Sequence, residues 1–268
     1  MPLDIDYNPC QGRVDNKNTY RTFTPLPPLN HWVQAFWQLN APDGQYYYRS
    51  IPDNCVDLII NLDCPDETFI VTPFSSPIVF EMTGPVSYFG VRFRVLGHQG
   101  IITAPLGAWN KPDNSIKPNE IIPEHMLNAA YDGICKPIGF HDRCKYISKL
   151  LLGSLQHNKI DSRLIRYIRY CHQNISSSIS LSDKQCSEFG VSARQLRRLS
   201  HLYLGLSPKN YAKVLRFQQT LRVMNSTNCS SAWAGYYYDQ PHFIREFKSM
   251  SGVTPNEFLS SSVLYNPA

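Results

Sequence analysis

The chain has 268 residues, enough for one large or two ordinary domains, and a hydrophobic content of 43% that is normal for a soluble globular protein. No apolar run approaches the ~20 residues of a membrane-spanning helix, and the N-terminus lacks a signal peptide pattern, so we expect a cytoplasmic protein without a membrane partner. The net charge of +5 is uneven: residues 1–150 contain 12 Lys and Arg against 15 Asp and Glu, whereas residues 151–268 contain 14 against 6. A basic second half predicts a polyanion as its partner.

Strands are predicted for the first half of the chain. Of the 20 prolines, 16 lie before residue 150, and proline suits turns and strand edges. Short apolar or alternating runs separated by turn residues occur at 31–39, 46–51, 56–62, 69–72, 78–82 and 88–95. This pattern predicts a β-rich, barrel or cupin-like domain over residues 1–140.

Two arginines in the last predicted strand alternate with apolar residues. If the face that carries Arg92 and Arg94 lines a barrel interior, either arginine could hold a carboxylate ligand, with Trp37 and Tyr48 as candidate pocket walls. The simpler interpretation is outward-facing strand charge and ordinary aromatic core. Both interpretations stay open at this point.

The eight cysteines are scattered, without CxxC pairs or zinc-finger spacing, which predicts reduced thiols and no metal or cofactor. Cys55, after Pro52-Asp-Asn, would be the nucleophile if the first half were a reactive-cysteine enzyme fused to the basic second half. It lacks a nearby His or basic helix start that would lower its pKa. We therefore expect no enzyme activity and keep the reactive-cysteine enzyme as an alternative.

Helical periodicity begins after residue 120. Residues 141–155 and 161–172 each carry an apolar stripe, and the serine-rich stretch 174–180 is typical of a hinge. We predict a helical linker over residues 141–175.

A short helix, a glycine turn and a second helix follow. Residues 181–189 fit the first helix, Gly190 suits the positive φ of the turn, and Ser192 can cap the next helix. On that helix Leu196 and Leu199 face a core. The opposite face carries Arg194, Arg197 and Arg198. A helix with one apolar face and one arginine-rich face is predicted to enter the major groove of DNA.

The long helix that follows, from Lys209 to about Met224, carries three basic residues that can touch phosphate: Lys209, Lys213 and Arg216. A second unit is predicted from a short helix at 229–235 and a helix capped by Asp239. In it, Tyr236–Tyr238 are expected to pack in the core and turn. Its exposed side chains would be Gln240, His242, Arg245 and Lys248.

Residues 176–262 resemble the DNA-binding domain of AraC/XylS-family transcription regulators. The matching segments are Gly190-Val-Ser, Leu196-Arg-Arg, Gly205-Leu-Ser-Pro-Lys-Asn-Tyr211, Arg216-Phe-Gln218, Tyr237-Tyr-Asp-Gln-Pro-His-Phe243 and Gly252-Val-Thr-Pro255. Residues 52–61 and 89–94 are similar to the sensor half of a subgroup of that family. The second unit departs from the pattern, with Ser231 at an apolar position and Gly235 one residue before the usual turn glycine.

The resemblance implies two helix-turn-helix units that read successive major-groove faces of double-stranded promoter DNA, and activation through RNA polymerase. By position, the DNA-facing residues would be Ala193, Arg194, Arg197 and Arg198 in the first unit and Gln240, Pro241, His242 and Arg245 in the second.

We therefore predict an α+β multidomain chain: a β-rich domain at 1–140, the linker at 141–175, an all-α domain with two helix-turn-helix units at 176–262 and a tail at 263–268. The predicted function is that of a bacterial, sequence-specific transcription regulator, an activator, bound to the nucleoid when on DNA. Its first domain would sense a small-molecule effector or form a homodimer. A DNA-binding protein without an effector is a further alternative.

Overall fold

The computed structural model describes residues 5, 7–14, 19–102, 105–109, 115–156, 158–176, 181–229 and 233–265. The described strands are β1 (Tyr20–Phe23), β2 (Val33–Ser50), β3 (Val56–Asn61), β4 (Phe69–Val71), β5 (Ile78–Phe93), β6 (Ser115–Ile116) and β7 (Leu264–Tyr265). The described helices are α1 (Glu124–Ile134), α2 (Phe140–Ser154), α3 (Ser162–Gln173), α4 (Asp183–Glu188), α5 (Ala193–Leu204), α6 (Pro208–Thr227), α7 (Gln240–Ser251) and α8 (Pro255–Ser260).

All strand pairs of the sheet are antiparallel, in the order β1-β2-β5-β3-β4-β6, and β7 joins β2 outside this path. The predicted α+β class, with a β-rich cupin-like first part and a helical second part, is confirmed. The described strands form an open path, because β1 and β6 lie at opposite ends of the order and are not paired.

Two long strands replace four of the predicted short ones. β2 and β5 pair along almost their whole length, with an irregular register between Ala41 and Gly44. Gly44 has a φ of +117°, and Gly84 lies so close to the carbonyl of Pro42 that a side chain there would overlap with it. The Pro and Gly residues between the predicted short strands therefore form a bulge within one long antiparallel strand pair.

One face of the sheet packs against α1 and α2. The shared core contains mostly aliphatic and phenylalanine side chains, among them Val33, Phe36, Leu58, Ile60, Phe89, Val91 and Phe93 from the sheet and Leu127, Ile134, Phe140, Ile147 and Leu151 from the helices. The opposite face carries Trp37, Leu39 and Met82 in a separate cluster. Strand alternation thus gives the sheet two buried faces of different composition.

The helices predicted as one linker divide between two cores. α2 belongs to the core of the sheet, whereas α3 packs on the first helix-turn-helix unit. In α3, Leu164, Tyr167 and Ile168 are fully buried, and the Tyr167 hydroxyl donates to the Pro208 carbonyl at 2.7 Å. The apolar stripe of α3 is thus part of the helical domain.

The residues predicted as a C-terminal tail begin with a strand. β7 pairs with β2, where Leu264 lies opposite Tyr48 and Tyr265 opposite Tyr47. Just before it, the Val263 backbone N–H donates to the Arg13 carbonyl at 2.8 Å. The last described segment therefore returns to the first domain.

Candidate nucleic-acid interface and ligand cavity

The first helix-turn-helix unit is formed by α4, a glycine turn and α5. The Ser182 hydroxyl accepts from the Gln185 N–H at 3.3 Å, and the Ser192 hydroxyl accepts from the Gln195 N–H at 3.2 Å, so each helix begins at a capping serine. Gly190 has a φ of +73°, which a residue with a side chain adopts only with strain. Local sequence thus determines where both helices begin and where the turn lies.

α5 has an anchored face and a cationic face. Leu196 and Leu199 are buried against α3, α4 and α6, and Ala193 is half-buried at the first turn. The predicted DNA-facing arginines, Arg194, Arg197 and Arg198, are all exposed, and none forms an ion pair with a described carboxylate. The three guanidinium groups on one side of this helix can donate hydrogen bonds to guanine edges and to phosphates.

The second unit presents a similar face on α7. The Asp239 carboxylate caps this helix by accepting from the His242 N–H at 2.7 Å, and Phe243 and Phe247 are buried beneath it. The predicted contacts Gln240, Pro241, Arg245 and Lys248 are exposed, and His242 is half-exposed.

The preceding short helix predicted at 229–235 lies partly outside the described residues. Residues 233–236 form a turn in which Gly235 has a φ of +84°. Gly235 therefore provides a positive φ in this turn, although it stands one residue before the usual position.

A buried glutamate that the sequence analysis missed joins α6 to α7. Glu246 Oε1 accepts from Arg216 Nε at 3.1 Å, while Lys213 Nζ and His242 Nε2 lie 3.9 and 3.6 Å from Oε2. The Arg216 guanidinium also stacks on the Tyr237 ring at 4.9 Å. Arg216 is thus paired within the domain, whereas Lys209 is exposed. The only available signal was that Glu246 is the single acidic residue of α7.

The three consecutive tyrosines do not all pack inward as expected. Tyr237 is buried and Tyr236 is half-buried, but Tyr238 is 92% exposed just before α7. Successive side chains in this segment point in different directions, and the Tyr238 ring faces solvent. Tyr238 adds an aromatic hydroxyl beside the cationic face of α7.

A cavity of about 120 Å³ lies in the first domain, on the face of the sheet opposite α1 and α2. Its walls are largely aromatic, and its lining includes Tyr20, Trp37, Leu39, Tyr48, Ile59, Phe69, Phe74, Phe80, Met82 and Tyr88 together with Asp53, Asp57 and Arg92. A second, more polar groove of about 410 Å³ lies between the N-terminal segment and α3 and α6, with Arg169 and Arg222 at its border. The aromatic cavity has the features of a small-molecule site: apolar walls and a few buried polar groups.

Arg92 lies inside the molecule rather than on an outward face, with only 12% of its side chain exposed. Its Nε is 3.1 Å from Asp57 Oδ1, and its terminal nitrogen is 3.4 Å from Asp53 Oδ2. Burial raises the pKa of the Asp57 carboxyl above its usual range, because Arg92 offsets only part of the lost hydration. Arg92 is therefore already paired with two carboxylates and does not present an unoccupied cation for a carboxylate ligand.

Three of the four candidate ligand residues lie together. Trp37, Tyr48 and Arg92 line the cavity. Arg94 follows the end of β5 and donates from Nε to the Asn30 carbonyl at 2.6 Å, outside the cavity. The sequence signal that could have revealed Asp57 is its position as a charged residue within an apolar strand.

Trp37 forms a flat wall of the cavity because of the residue opposite it. It pairs with Gly90 on β5, and a side chain at Gly90 would overlap with the indole ring. The indole N–H donates to Asp57 Oδ1 at 2.9 Å, and the Tyr20 ring lies beside the indole, tilted by 30°. A close backbone, a hydrogen bond and a neighbouring ring thus fix this wall.

Cys55 does not have the environment of a nucleophile. Its thiol is buried and lies 3.6 Å from the Gln34 side-chain oxygen. Burial, reinforced by the nearby Asp53 carboxylate, raises the pKa of the Cys55 thiol well above its ordinary value. Nucleophilic cysteines need the opposite shift.

The 51–55 loop connects the cavity to α6. Gln218 of α6 donates to the Pro52 carbonyl at 2.6 Å, and Asn54 donates to the Tyr211 carbonyl at 3.1 Å. Between these two contacts, Asp53 faces Arg92 in the cavity. The same loop therefore touches the ligand cavity and the helix that joins both helix-turn-helix units.

Within the described part of the chain, no helix is long and apolar enough to cross a bilayer. The same residues contain no group of three or more His, Cys, Asp or Glu side chains placed to hold a metal ion.

Comparison with known proteins agrees with this arrangement. Residues 185–261 match the helix-turn-helix domain family, and residues 21–114 match a domain of unknown function. None of the curated proteins matches the chain significantly.

Similar solved structures include ToxT from Vibrio cholerae, with 11% identity, a TM-score of 0.41, and coverage of 90% of this chain and 98% of that one. Another is ToxT bound to (E)-4-(8-methylnaphthalen-1-yl)but-3-enoic acid, with 11% identity, a TM-score of 0.42 and the same coverage. A third is unsaturated fatty acid bound ToxT, with 12% identity, a TM-score of 0.39, and coverage of 84% and 90%.

The paired capped helices and their exposed basic faces define a DNA-binding protein of the helix-turn-helix class. With residues 185–261 inside that domain family and the motifs described above, the chain carries an AraC-type helix-turn-helix domain beside a second, β-rich domain.

Proposed function

We propose that the protein is a sequence-specific transcription regulator whose first domain binds a small-molecule effector. The observation that carries the DNA-binding part is the exposed arginine face of α5, fixed from behind by Leu196 and Leu199. Arg194, Arg197 and Arg198 read bases or hold phosphates there, together with Ala193, and Gln240, Pro241, His242 and Arg245 do so on α7. Lys209, Lys213 and Lys248 add phosphate contacts; Arg216 supports α7 instead.

The cavity supports the effector part of the proposal. Its aromatic walls and buried charged group are features of ligand sites, and the 51–55 loop links it to α6. A ligand that moves Arg92 or Asp53 would shift this loop and change how α6 presents the two reading helices. Ligand binding would thus favour one of two arrangements of the domains.

The family resemblance supports activation through contact with RNA polymerase and the pairing of two copies on promoter DNA. Since the partner is chromosomal DNA, we propose that the protein acts in the cytoplasm of a bacterium, on the nucleoid.

Selection of bound sequences from a random DNA library tests sequence-specific binding. A recurrent motif with two half-sites about one helical turn apart is expected, with an affinity that falls steeply with salt. Arg197→Ala should weaken binding to that motif by about 1–3 kcal/mol and relax the preference at one base. Arg21→Ala, an exposed arginine on β1, is the matched control and should leave binding unchanged. Enrichment of no motif, or equal affinity of Arg197→Ala and the wild type, would contradict the assignment.

A further inference from the structure

We infer that the cavity binds a small molecule with an aromatic or other apolar body and a cationic ammonium head, and that it selects against carboxylates of the same size. The inference rests on the proposed function, in which this cavity is the effector site. It depends on three features: the charge of the buried cluster, the aromatic walls and the size of the cavity.

The buried charges of the cavity favour a cation. Arg92 is the only cation that lines it among the described residues, and it is in contact with two carboxylates, Asp53 and Asp57. All three side chains are at most 12% exposed. Two carboxylates thus face one guanidinium, so with both ionised the cluster has one buried negative charge in excess, and an incoming carboxylate would add a third anion to it. An ammonium would restore the balance.

The hydrogen bonds leave room for a donor rather than for an acceptor. Asp57 Oδ1 accepts from both Trp37 and Arg92, whereas among the described residues Oδ2 has only the shared contact with Arg92 Nε at 3.2 Å. A carboxylate oxygen can accept more than one such bond. Asp57 Oδ2 can therefore accept from an ammonium N–H without loss of the contacts already present.

Asp53 is less available than Asp57. Its Oδ1 accepts from the Cys55 backbone N–H and its Oδ2 from the Gln11 side chain, both at 2.9 Å. The ammonium would therefore bind at Asp57, while Asp53 continues to hold the 51–55 loop.

The walls suit an organic cation rather than a hydrated metal ion. Trp37, Tyr20 and Tyr48 surround the charged cluster, and the Tyr20 and Trp37 ring centroids lie 6.1 Å apart. Aromatic faces attract cations through their quadrupole and also cover apolar groups. Neither phenol hydroxyl donates to another described residue, and burial raises the pKa of Tyr20 to about 12, so Tyr20 adds no anion.

The volume sets the size of the ligand. A cavity of about 120 Å³ corresponds to roughly four water molecules at about 30 Å³ each. The cavity therefore suits a compact ligand, such as a single ring on a short ammonium chain.

The test compares two matched probes on the full chain by isothermal titration calorimetry. One is 2-phenylethylammonium and the other is 3-phenylpropanoate, which has a similar body and the opposite charge. We expect the ammonium to bind at least tenfold more tightly. A carboxylate that binds equally well or better, or binding of neither probe at millimolar concentration, would overturn the inference.

Two variants locate the site. Asp57→Asn should weaken ammonium binding at least tenfold, and Asp43→Asn, a change of an exposed acid on β2, should leave it unchanged. Because Asp57→Asn could unfold the domain, Trp37→Phe is the second variant, and it should weaken the ammonium severalfold without helping the carboxylate. Wild-type affinity in both folded variants would contradict the site.

DNA binding measured in the same samples separates this inference from the proposed function. Ammonium binding that leaves operator affinity unchanged would retain the ligand class and remove the effector role. A carboxylate that changes operator affinity would retain the effector role and overturn the ligand class.

Discussion

The residues of the α5 arginine face and those of the ligand cavity differ in how well the sequence pattern alone predicts their roles. On α5 the arginines follow from helical periodicity, because Leu196 and Leu199 determine which side faces inward. For Arg92 the strand pattern gives only the face. Its partner Asp57 lies directly across the strand pair, on a strand distant in sequence. The register between β3 and β5 decides whether Arg92 binds a ligand or forms an internal ion pair. The alternation of residues within one strand does not reveal that register.

Glu246 provides a test at this scale. Glu246→Gln should destabilise the second unit by about 3 kcal/mol, since it leaves the Arg216 charge without its buried counterion and with the Lys213 ammonium nearby. Thermal unfolding measures the loss, and DNA affinity should fall with it because α7 is held through this contact.

Glu188→Gln, an exposed acid on α4, serves as the control and should behave as the wild type. If Glu246→Gln unfolds at the wild-type temperature, Glu246 does not hold α6 and α7 together.

At the scale of elements, most helices were predicted from capping residues and periodicity, but their domain membership was not. α2 and α3 have similar amphipathic patterns, and the sequence does not indicate which core each one faces. Likewise the bulge near Gly44 contains the same Pro and Gly residues that form turns. Tertiary pairing between β2 and β5 decides that the chain continues as a strand.

The position of α3 predicts the shortest fragment of the DNA-binding domain that folds on its own. A fragment of residues 159–262 should fold and bind DNA, whereas a fragment of residues 176–262 should not fold stably. The shorter fragment lacks Leu164, Tyr167 and Ile168, and each fully buried side chain of this kind contributes about 1.5–3 kcal/mol.

Circular dichroism and DNA titration of the two fragments provide the measurement. Equal helicity and equal DNA affinity would mean that α3 is dispensable and acts only as a connector.

In the whole molecule, the two domains share an interface that sequence analysis did not anticipate. Gln218 is 2% exposed; its side-chain oxygen accepts from the Cys10 N–H at 2.9 Å while its nitrogen donates to Pro52. In a second contact between the domains, Gly107 approaches the His201 carbonyl of α5 so closely that a side chain would overlap with it. A glutamine within a helix motif carries no sign that it pairs with residues more than 160 positions away.

Gln218→Leu tests whether this interface transmits the signal. The change leaves Pro52 and Cys10 without partners, which costs about 1–3 kcal/mol for each buried group. Backbone amides around the 51–55 loop should exchange hydrogen faster, and a ligand in the cavity should change DNA affinity less than in the wild type.

Gln45→Leu, an exposed glutamine on β2, is the matched control and should affect neither exchange nor coupling. Wild-type exchange and coupling in Gln218→Leu would show that the loop and α6 move independently.

The return of β7 to β2 has a mechanical consequence. The second reading unit is fastened to the first domain at one end through α6 and at the other through the short pair that Leu264 and Tyr265 make with β2. A unit attached at one point can rotate in any direction, whereas a unit attached at two points rotates mainly about the axis that joins them. A rearrangement that keeps both attachments would therefore rotate the second unit about one axis. Such a rotation changes the tilt of α7 relative to α5 more than the distance between them.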